Sequence, residues 1–463
     1  MKPIYLVLAL ALTLASCSPV GPDYVKPEFQ PAANYKTSTS KQLGVSPSWW
    51  KAFRDPTLNS LQTQLLSKNY DLAAAYARRQ QAFARLGLSK ADASLQSSAG
   101  GDLTRRKTSR AGADAADAGE YFNLYQIGAN FSYELDLWGR VRRLVEAGNA
   151  DAQAAEYAVA DVRAALQTQL ARQYFALRFL DAEMATLAGT VKTRQANVKI
   201  AQDRLDAGFS TELDTARAKS ELSTAKAELL ALKGPRAQLE NSIAVLLGRQ
   251  PSGFRISSRN YTGYLPRVPA GLPVALLSRR PDVAVAERRL ASATARIGAA
   301  ELERFPKISL TGNGGSSSAS SARFLDWISQ FYSIGPSVSV PLFQGGRIRS
   351  NVLLSEGKRD EALANYKKTA LSALADVESS LADLQVLRAE ASARKNSVDA
   401  ASHTYDLALL SYKEGTTSYL DVANAQRDKL IAQRASVRTR GRQFTATVQL
   451  IQALGGGFSK GSK

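Results

Sequence analysis

The sequence predicts a mainly α-helical chain, built from two copies of one long unit, in which each copy carries a membrane-type β-hairpin. Three observations predict it: an internal repeat at constant offset, two segments of alternating apolar and polar residues, and two proline-free helical runs of equal length. Arg140-Val141-Arg142 returns as Arg347-Ile348-Arg349, Gly208, Leu213 and Asp214 as Gly415, Leu420 and Asp421, and Leu247-Gly248 as Leu454-Gly455, always 207 positions on. Upstream, Asp71, Arg78, Arg85 and Gly87 return as Asp282, Arg289, Arg296 and Gly298, 211 positions on. A period of this size lies far outside the roughly 20–50 residues of solenoid repeats. One large structural unit is therefore used twice.

The chain opens with Lys2, an apolar stretch from Ile4 to Ala15, and Leu14-Ala15-Ser16-Cys17. This is a secretory signal over residues 1–16, too short for a stable membrane anchor. Cys17 is the sole cysteine, so no internal disulfide can form. Its place after an apolar segment and small residues resembles the lipobox of bacterial lipoproteins, which implies lipidation at Cys17. Ser18 in the following position favours the outer membrane in that family's sorting logic. Residues 17–56 are rich in Pro, Ser and Thr and read as an extended tether closed by Trp49-Trp50, Phe53 and Asp55-Pro56.

A helical pattern follows from about Thr57 to Ala93 and leads into a hairpin over 94–138. From Tyr125 to Leu137 the odd positions are Tyr, Ile, Ala, Phe, Tyr, Leu and Leu, while the even ones are Gln, Gly, Asn, Ser, Glu and Asp. That period of two defines a strand with one apolar and one polar face. In the second hairpin, over 305–343, Tyr332, Ile334, Val338, Val340 and Leu342 alternate with Ser333, Gly335, Ser337 and Ser339. Weaker strands precede them near Leu95–Thr104 and Lys307–Gly312, and the segments Ala111–Gly119 and Ser316–Ser321 suit solvated hairpin tips. Strands of about ten residues with apolar-out, polar-in alternation mark a transmembrane barrel with a wet lumen. Two hairpins cannot close a barrel alone, so other chains must supply partners.

Each hairpin runs into a proline-free stretch of 67 residues, Val141–Ala207 and Ile348–Glu414, or ~100 Å as helix. Narrow apolar stripes at spacings of three and four suit helices packed side by side and wetted on both sides. Each ends at a glycine turn, Gly208 or Gly415, followed by a second helix over Thr211–Leu246 or Ser418–Ala453, ~54 Å long. The helix before the hairpin and the one after the turn sum to ~110 Å, so two stacked short helices match one long helix. Repeat 1 then spans 57–247 and repeat 2 spans 281–455, with a proline- and glycine-bearing linker at 248–280 and a flexible tail at 456–463.

The net charge of +19 is spread over long helical stretches and interleaved with acids, which suits solvated helix faces on an exported protein. Nucleic acid is excluded as a partner on that ground. The single histidine, His403, has no second histidine to complete a metal site, and there is no phosphate loop, Cys/His cluster or nucleophile elbow. No catalytic residue, metal or cofactor is assigned, and an enzyme has no residues to carry it.

Several ordered stretches carry a resemblance. They are Val20-Gly21-Pro22-Asp23-Tyr24; Trp49-Trp50 with Phe53 and Asp55-Pro56; Gly271-Leu272-Pro273 with Arg279-Arg280-Pro281-Asp282-Val283; Phe305-Pro306; Val340-Pro341-Leu342-Phe343 with Gly345-Gly346-Arg347; and Gly415 with Leu420-Asp421-Val422. Over nearly the whole mature chain the sequence resembles the outer-membrane efflux protein family, the lipoprotein branch that serves drug-efflux pumps. The resemblance implies a homotrimer with a twelve-stranded barrel in outer-membrane lipid, continued by a long periplasmic α-helical barrel. It also implies a periplasmic adaptor and an inner-membrane transporter as partners, and a pore constricted by an acidic ring at the helix turn. Asp421 takes that position and Asp214 is its repeat counterpart, with Thr417 and Tyr419 lining the same periplasmic gate. Thr211-x-x-Asp214 and Ser418-x-x-Asp421 also have capping-box spacing, so each acid can serve a helix N-terminus instead of, or as well as, a gate. Asn424 stands where some relatives carry another aspartate, which puts a second acidic ring in doubt.

The function expected is passive efflux of drugs or other small molecules through a trimeric tunnel, with the second repeat moving more if the tip opens. A type I protein-secretion duct is the alternative within the class, opposed by the lipidation signal. A non-channel periplasmic scaffold is the alternative of another class, opposed by strands with a lipid-facing side.

Overall fold

A computed structural model describes residues 20–36, 45–109, 111, 119–271 and 273–458. Cys17, the signal over 1–16, most of the first hairpin tip and the end of the tail lie outside them. The elements are helices α1 (Pro56–Lys68) and α2 (Tyr70–Ala91), strands β1 (Gln96–Lys107) and β2 (Tyr121–Leu135), and helices α3 (Arg140–Asp206), α4 (Glu212–Ala231) and α5 (Lys233–Leu246). The second half supplies α6 (Pro273–Leu277), α7 (Pro281–Glu301), β3 (Lys307–Ser318), β4 (Gln330–Ser339), α8 (Arg347–Glu414) and α9 (Tyr419–Ala453). They divide into two compact units. One holds the described parts of 1–28, 78–156 and 285–366; the other holds those of 29–77, 157–284 and 367–463.

The first unit carries a single antiparallel sheet in the order β1-β2-β3-β4. Its register aligns Leu103 with Tyr125, Tyr133 with Leu310, Leu310 with Pro336 and Gly312 with Ile334. Most apolar positions of the four strands therefore fall on one face, with Phe122, Leu124 and Phe331 the exceptions. Gln126, Asn130, Ser132, Ser309, Thr311, Asn313, Ser333 and Ser337 fall on the other. Phe131 lies across Gly312, where a Cβ would come within 2.1 Å of the ring. Tyr332, Ile334 and Val338 remain well exposed. β3 runs on through Ser316, Ser317 and Ser318, which the sequence placed in a hairpin tip, because these small residues pair with Ile127, Gln126 and Tyr125. β4 ends at Ser339, before the expected Val340 and Leu342, where Pro341 has no N–H for a ladder.

The same unit holds the start of the described chain. The Arg143 guanidinium, its side chain 3% exposed, donates to the Val20 and Gly21 carbonyls and to Asp23 Oδ1 at 3.3, 3.0 and 2.7 Å. Gly21 has φ +101, and a Cβ there would lie 2.4 Å from the Gly298 Cα. The Val-Gly-Pro-Asp-Tyr stretch is thus a packed strap within the segment expected as an extended tether.

In the second unit, Trp49, Trp50, Phe53, Phe175, Phe179, Tyr261 and Phe444 form one buried aromatic core. Asp55 Oδ1 accepts the Thr57 and Leu58 amides at the start of α1, while its Oδ2 accepts Tyr174 Oη at 2.7 Å and Arg259 Nη2 at 2.8 Å. The linker is held by buried charge: Arg178 and Arg236 share Asp181 and donate to the Ser257 and Ile256 carbonyls.

Two helices expected as continuous are divided. The Thr57–Ala93 run breaks at Asn69, whose amide donates to the Leu65 carbonyl and whose Oδ1 accepts the Leu72 amide at 2.8 Å. Its Nδ2 donates to the Leu246 carbonyl at 2.8 Å, so one residue ends α1, caps α2 and closes α5. In the second repeat Arg280 donates to the Ala453 carbonyl at 3.1 Å. Asn69 and Arg280 differ by the upstream offset, and Leu246 and Ala453 by the downstream one. Gly248 (φ +63) and Gly455 (φ +93) let the chain pass there; a Cβ would lie 2.3 Å from Lys68 O or 2.2 Å from Arg279 O. The Thr211–Leu246 run is interrupted at Leu232, because Pro235 cannot donate to the carbonyl four residues back. Replacing Asn69 with Ala leaves buried backbone groups unpaired at this junction. We expect a loss of about 1–3 kcal/mol, measured as a lower unfolding midpoint, whereas Asn69→Asp retains the cap on α2 but sets a carboxylate oxygen, which cannot donate, against the Leu246 carbonyl.

Candidate functional site

Both long helices end in the same turn. Gly208 (φ +76) and Gly415 (φ +82) take the left-handed conformation that glycine tolerates. Phe209 N donates to Arg204 O and Gly208 N to Leu205 O; Thr416 N donates to Ser411 O and Gly415 N to Tyr412 O. These paired bonds absorb the carbonyls left free at each helix end and reverse the chain into α4 and α9.

The turns are tied together by side chains. Arg204, near the end of α3, donates from Nη1 to the Lys413 carbonyl of the other turn at 2.9 Å. Its guanidinium lies 4.9 Å from the centre of the Tyr412 ring, a favourable cation–π arrangement. Tyr412 stacks edge-on against Tyr419 at 5.5 Å, within a cluster that includes Tyr405, Ala201, Ala218 and Val422. Behind it, Asn197 donates to Gln426 at 3.2 Å, and Arg194 grips Glu221 through both its carboxylate and its carbonyl at 2.6 Å.

The four residues singled out by sequence occupy different environments. Asp421 is exposed, and its Oδ2 accepts the Thr417 hydroxyl at 2.6 Å, the Ser418 hydroxyl at 2.8 Å and the Ser418 amide at 3.2 Å. These bonds hold its carboxyl below the usual aspartate range, the Thr417 hydroxyl contributing most. Thr417 is therefore committed to Asp421. Asp214 is half-buried at the first turn of α4, where the Thr211 hydroxyl makes no capping bond. The two repeats thus differ: Asp421 accepts capping bonds at its helix start, and the Thr211 hydroxyl makes none at the start of α4. Burial, and then the Asp214 charge, raise the Tyr412 phenol above its ordinary value. Tyr419, expected to line an opening, is 1% exposed and supports the tip from inside; burial pushes its phenol up to about 12. Arg204 and Tyr412 were not found by sequence reasoning, because neither belongs to a motif and the contact between them spans the two repeats. Among the described residues no group of acids, histidines or cysteines is arranged to hold a metal.

The family model described as outer membrane efflux protein matches residues 61–249 and 272–456, the two repeats. The chain belongs to the outer membrane efflux protein family. It is 32% identical to the outer membrane protein OprJ of Pseudomonas aeruginosa, over 99% of this chain and 97% of that protein. It is likewise 32% identical to the solvent efflux pump outer membrane protein SrpC of Pseudomonas putida, over 99% of each. Among solved structures, the outer-membrane channel OprN superposes with a TM-score of 0.86 at 30% identity, covering 95% of this chain and 99% of that one. VceC of Vibrio cholerae superposes with 0.81 at 27% identity, covering 90% and 100%. The protein is thus an outer-membrane efflux channel with a periplasmic extension, and its family is one of channels, not enzymes.

Asp421 titrates with a depressed pKa in the fold, so its cap stands above the unfolded-state value and is lost as pH falls through the folded one. Amide exchange across Ser418–Asp421, corrected for intrinsic rates, should lose protection on acidification, with the midpoint moving to higher pH in Thr417→Ala. An unmoved midpoint contradicts the assignment.

Proposed function

We propose that the chain assembles as a homotrimer, anchored in outer-membrane lipid through its strands and a lipidated Cys17. It serves as the passive exit duct of a tripartite efflux pump. The observation that carries this reading is the four-stranded sheet with segregated faces. Three copies give twelve strands, enough to close a barrel with its apolar face to lipid and its Ser, Asn and Gln face to water. An inner-membrane transporter supplies the energy, and a periplasmic adaptor docks on the tip helices. The relatives' names, which include solvent, toluene, antibiotic and pyoverdine export, favour small organic molecules as cargo.

The gate lies at the two turns. The exposed Asp421 carboxylate supplies negative charge at the tip, supported by Asp214, while the Arg204–Lys413 and Tyr412–Tyr419 contacts keep the turns together. Asp421→Ala should raise single-channel conductance in planar bilayers and weaken cation selectivity; unchanged values of both would remove Asp421 from the gate. Arg204→Ala should raise conductance while leaving cation selectivity in place, because it unties the turns and retains the carboxylates. For the anchor, metabolic labelling with radioactive palmitate should mark the wild-type chain and leave Cys17→Ala unlabelled.

A further inference from the structure

The outer end of the first hairpin carries a basic rung that has no carboxylate partner among the described residues, on the face the membrane reading assigns to lipid. β1 closes with Arg105, Arg106 and Lys107, at the end farthest along the chain from the helices that flank the hairpin. The register pairs Lys107 with Tyr121, Arg105 with Asn123 and Leu103 with Tyr125. Arg105 and Lys107 therefore share the face of Leu103, Tyr125 and Ile127, one step beyond the apolar band, and Arg106 points to the opposite face, beside Phe122. Both outward cations flank one aromatic ring, with Lys107 Nζ 4.9 Å and the Arg105 guanidinium 5.5 Å from the Tyr121 centre.

The contrast with the other end of β2 is informative. There Arg140 pairs with Glu134 at 2.8 Å and Arg142 with Asp136 at 3.3 Å, so the basic charge at the helix end of the sheet is compensated within the chain. Among the described residues, Arg105 and Lys107 have no carboxylate partner. Two cations held over a tyrosine at a membrane boundary suit an anion that sits at that depth. The tyrosine fits the headgroup level and the cations fit phosphate.

We propose that Arg105, Lys107 and Tyr121 form a binding site for the phosphate of lipid headgroups in the outer leaflet of the outer membrane. The site fixes the depth and rotation of the hairpin in the bilayer. It rests on the outer-membrane barrel reading and adds a specific lipid chemistry to it. A zwitterionic headgroup such as phosphatidylcholine already sets its phosphate against its own ammonium and competes weakly for the cations, and a soluble phosphate lacks the acyl chains that lie against Leu103 and Ile127.

The test is lipid retention by the full-length protein in nanodiscs of phosphatidylcholine doped with bisphosphorylated lipid A or with its dephosphorylated form. Lipid co-isolated per chain is counted by mass spectrometry after detergent extraction. Wild type should retain the phosphorylated lipid at least fivefold over the dephosphorylated one, and millimolar inorganic phosphate should not compete it away. Arg105→Gln/Lys107→Gln should lose this preference. Arg105→Lys/Lys107→Arg should keep most of it, and Arg106→Gln, on the opposite face, all of it. Equal retention by wild type and the Gln double variant, or an equal loss in Arg106→Gln, overturns the proposal. Bilayer conductance of the same preparations separates the two levels: conducting channels without phosphate preference sink the lipid site alone, and non-conducting ones sink the barrel reading beneath it.

Discussion

The backbone hydrogen bonds at the two outer edges of the sheet constrain everything else in this protein. Among the described residues, β1 and β4 each pair on one side only. In hydrocarbon an unpaired strand edge costs several kcal/mol per group, and no water is present to satisfy it. The faces of the sheet are already divided into an apolar and a polar side, so the chain is committed to a membrane before its edges are closed. Closure by further copies removes the cost at both edges at once, and a ring of identical heterologous contacts is the arrangement that leaves none over.

Helices set the second condition. A chain that supplies one long helix and several shorter ones per repeat must join the short ones without leaving helix ends unsatisfied. The junction is solved by polar side chains at equivalent positions: Asn69 reaches the Leu246 carbonyl and Arg280 reaches that of Ala453. Gly248 and Gly455 admit the close passage of backbone beside them. Arg280 also pairs with Asp282 and Asp376 at 2.8 and 3.0 Å, so the Arg-Arg-Pro-Asp stretch is accounted for by helix stacking. At the opposite ends the two turns share one backbone solution and diverge in side chains. Ser418 and Thr417 hold Asp421, and nothing equivalent holds Asp214.

Much of this architecture is legible in the sequence, because strict alternation and proline-free runs of equal length leave few other foldings. The expected Val141–Ala207 and Ile348–Glu414 helices lie within one residue of α3 and α8 at each end. The break at Leu232 has its local signal in Pro235, whereas the break at Asn69 depends on a side chain reaching a carbonyl 177 positions away, which no local pattern records. At the tip, Asp421 was marked by the family resemblance, and its spacing from Ser418 carried the capping reading. The inward turn of Tyr419 and the reach of Arg204 were hidden, since both depend on how helices from different repeats pack. The strap at Val20–Tyr24 belongs to the Pro-, Ser- and Thr-rich segment that reads as an extended tether, yet Gly21 is there to meet Gly298.

The central claim is that the open sheet is one part of a barrel completed by other copies of the same chain. Native mass spectrometry of the detergent-extracted protein tests it most directly. The account predicts a dominant species of three copies; a stable monomer or dimer as the sole species that conducts in bilayers contradicts it.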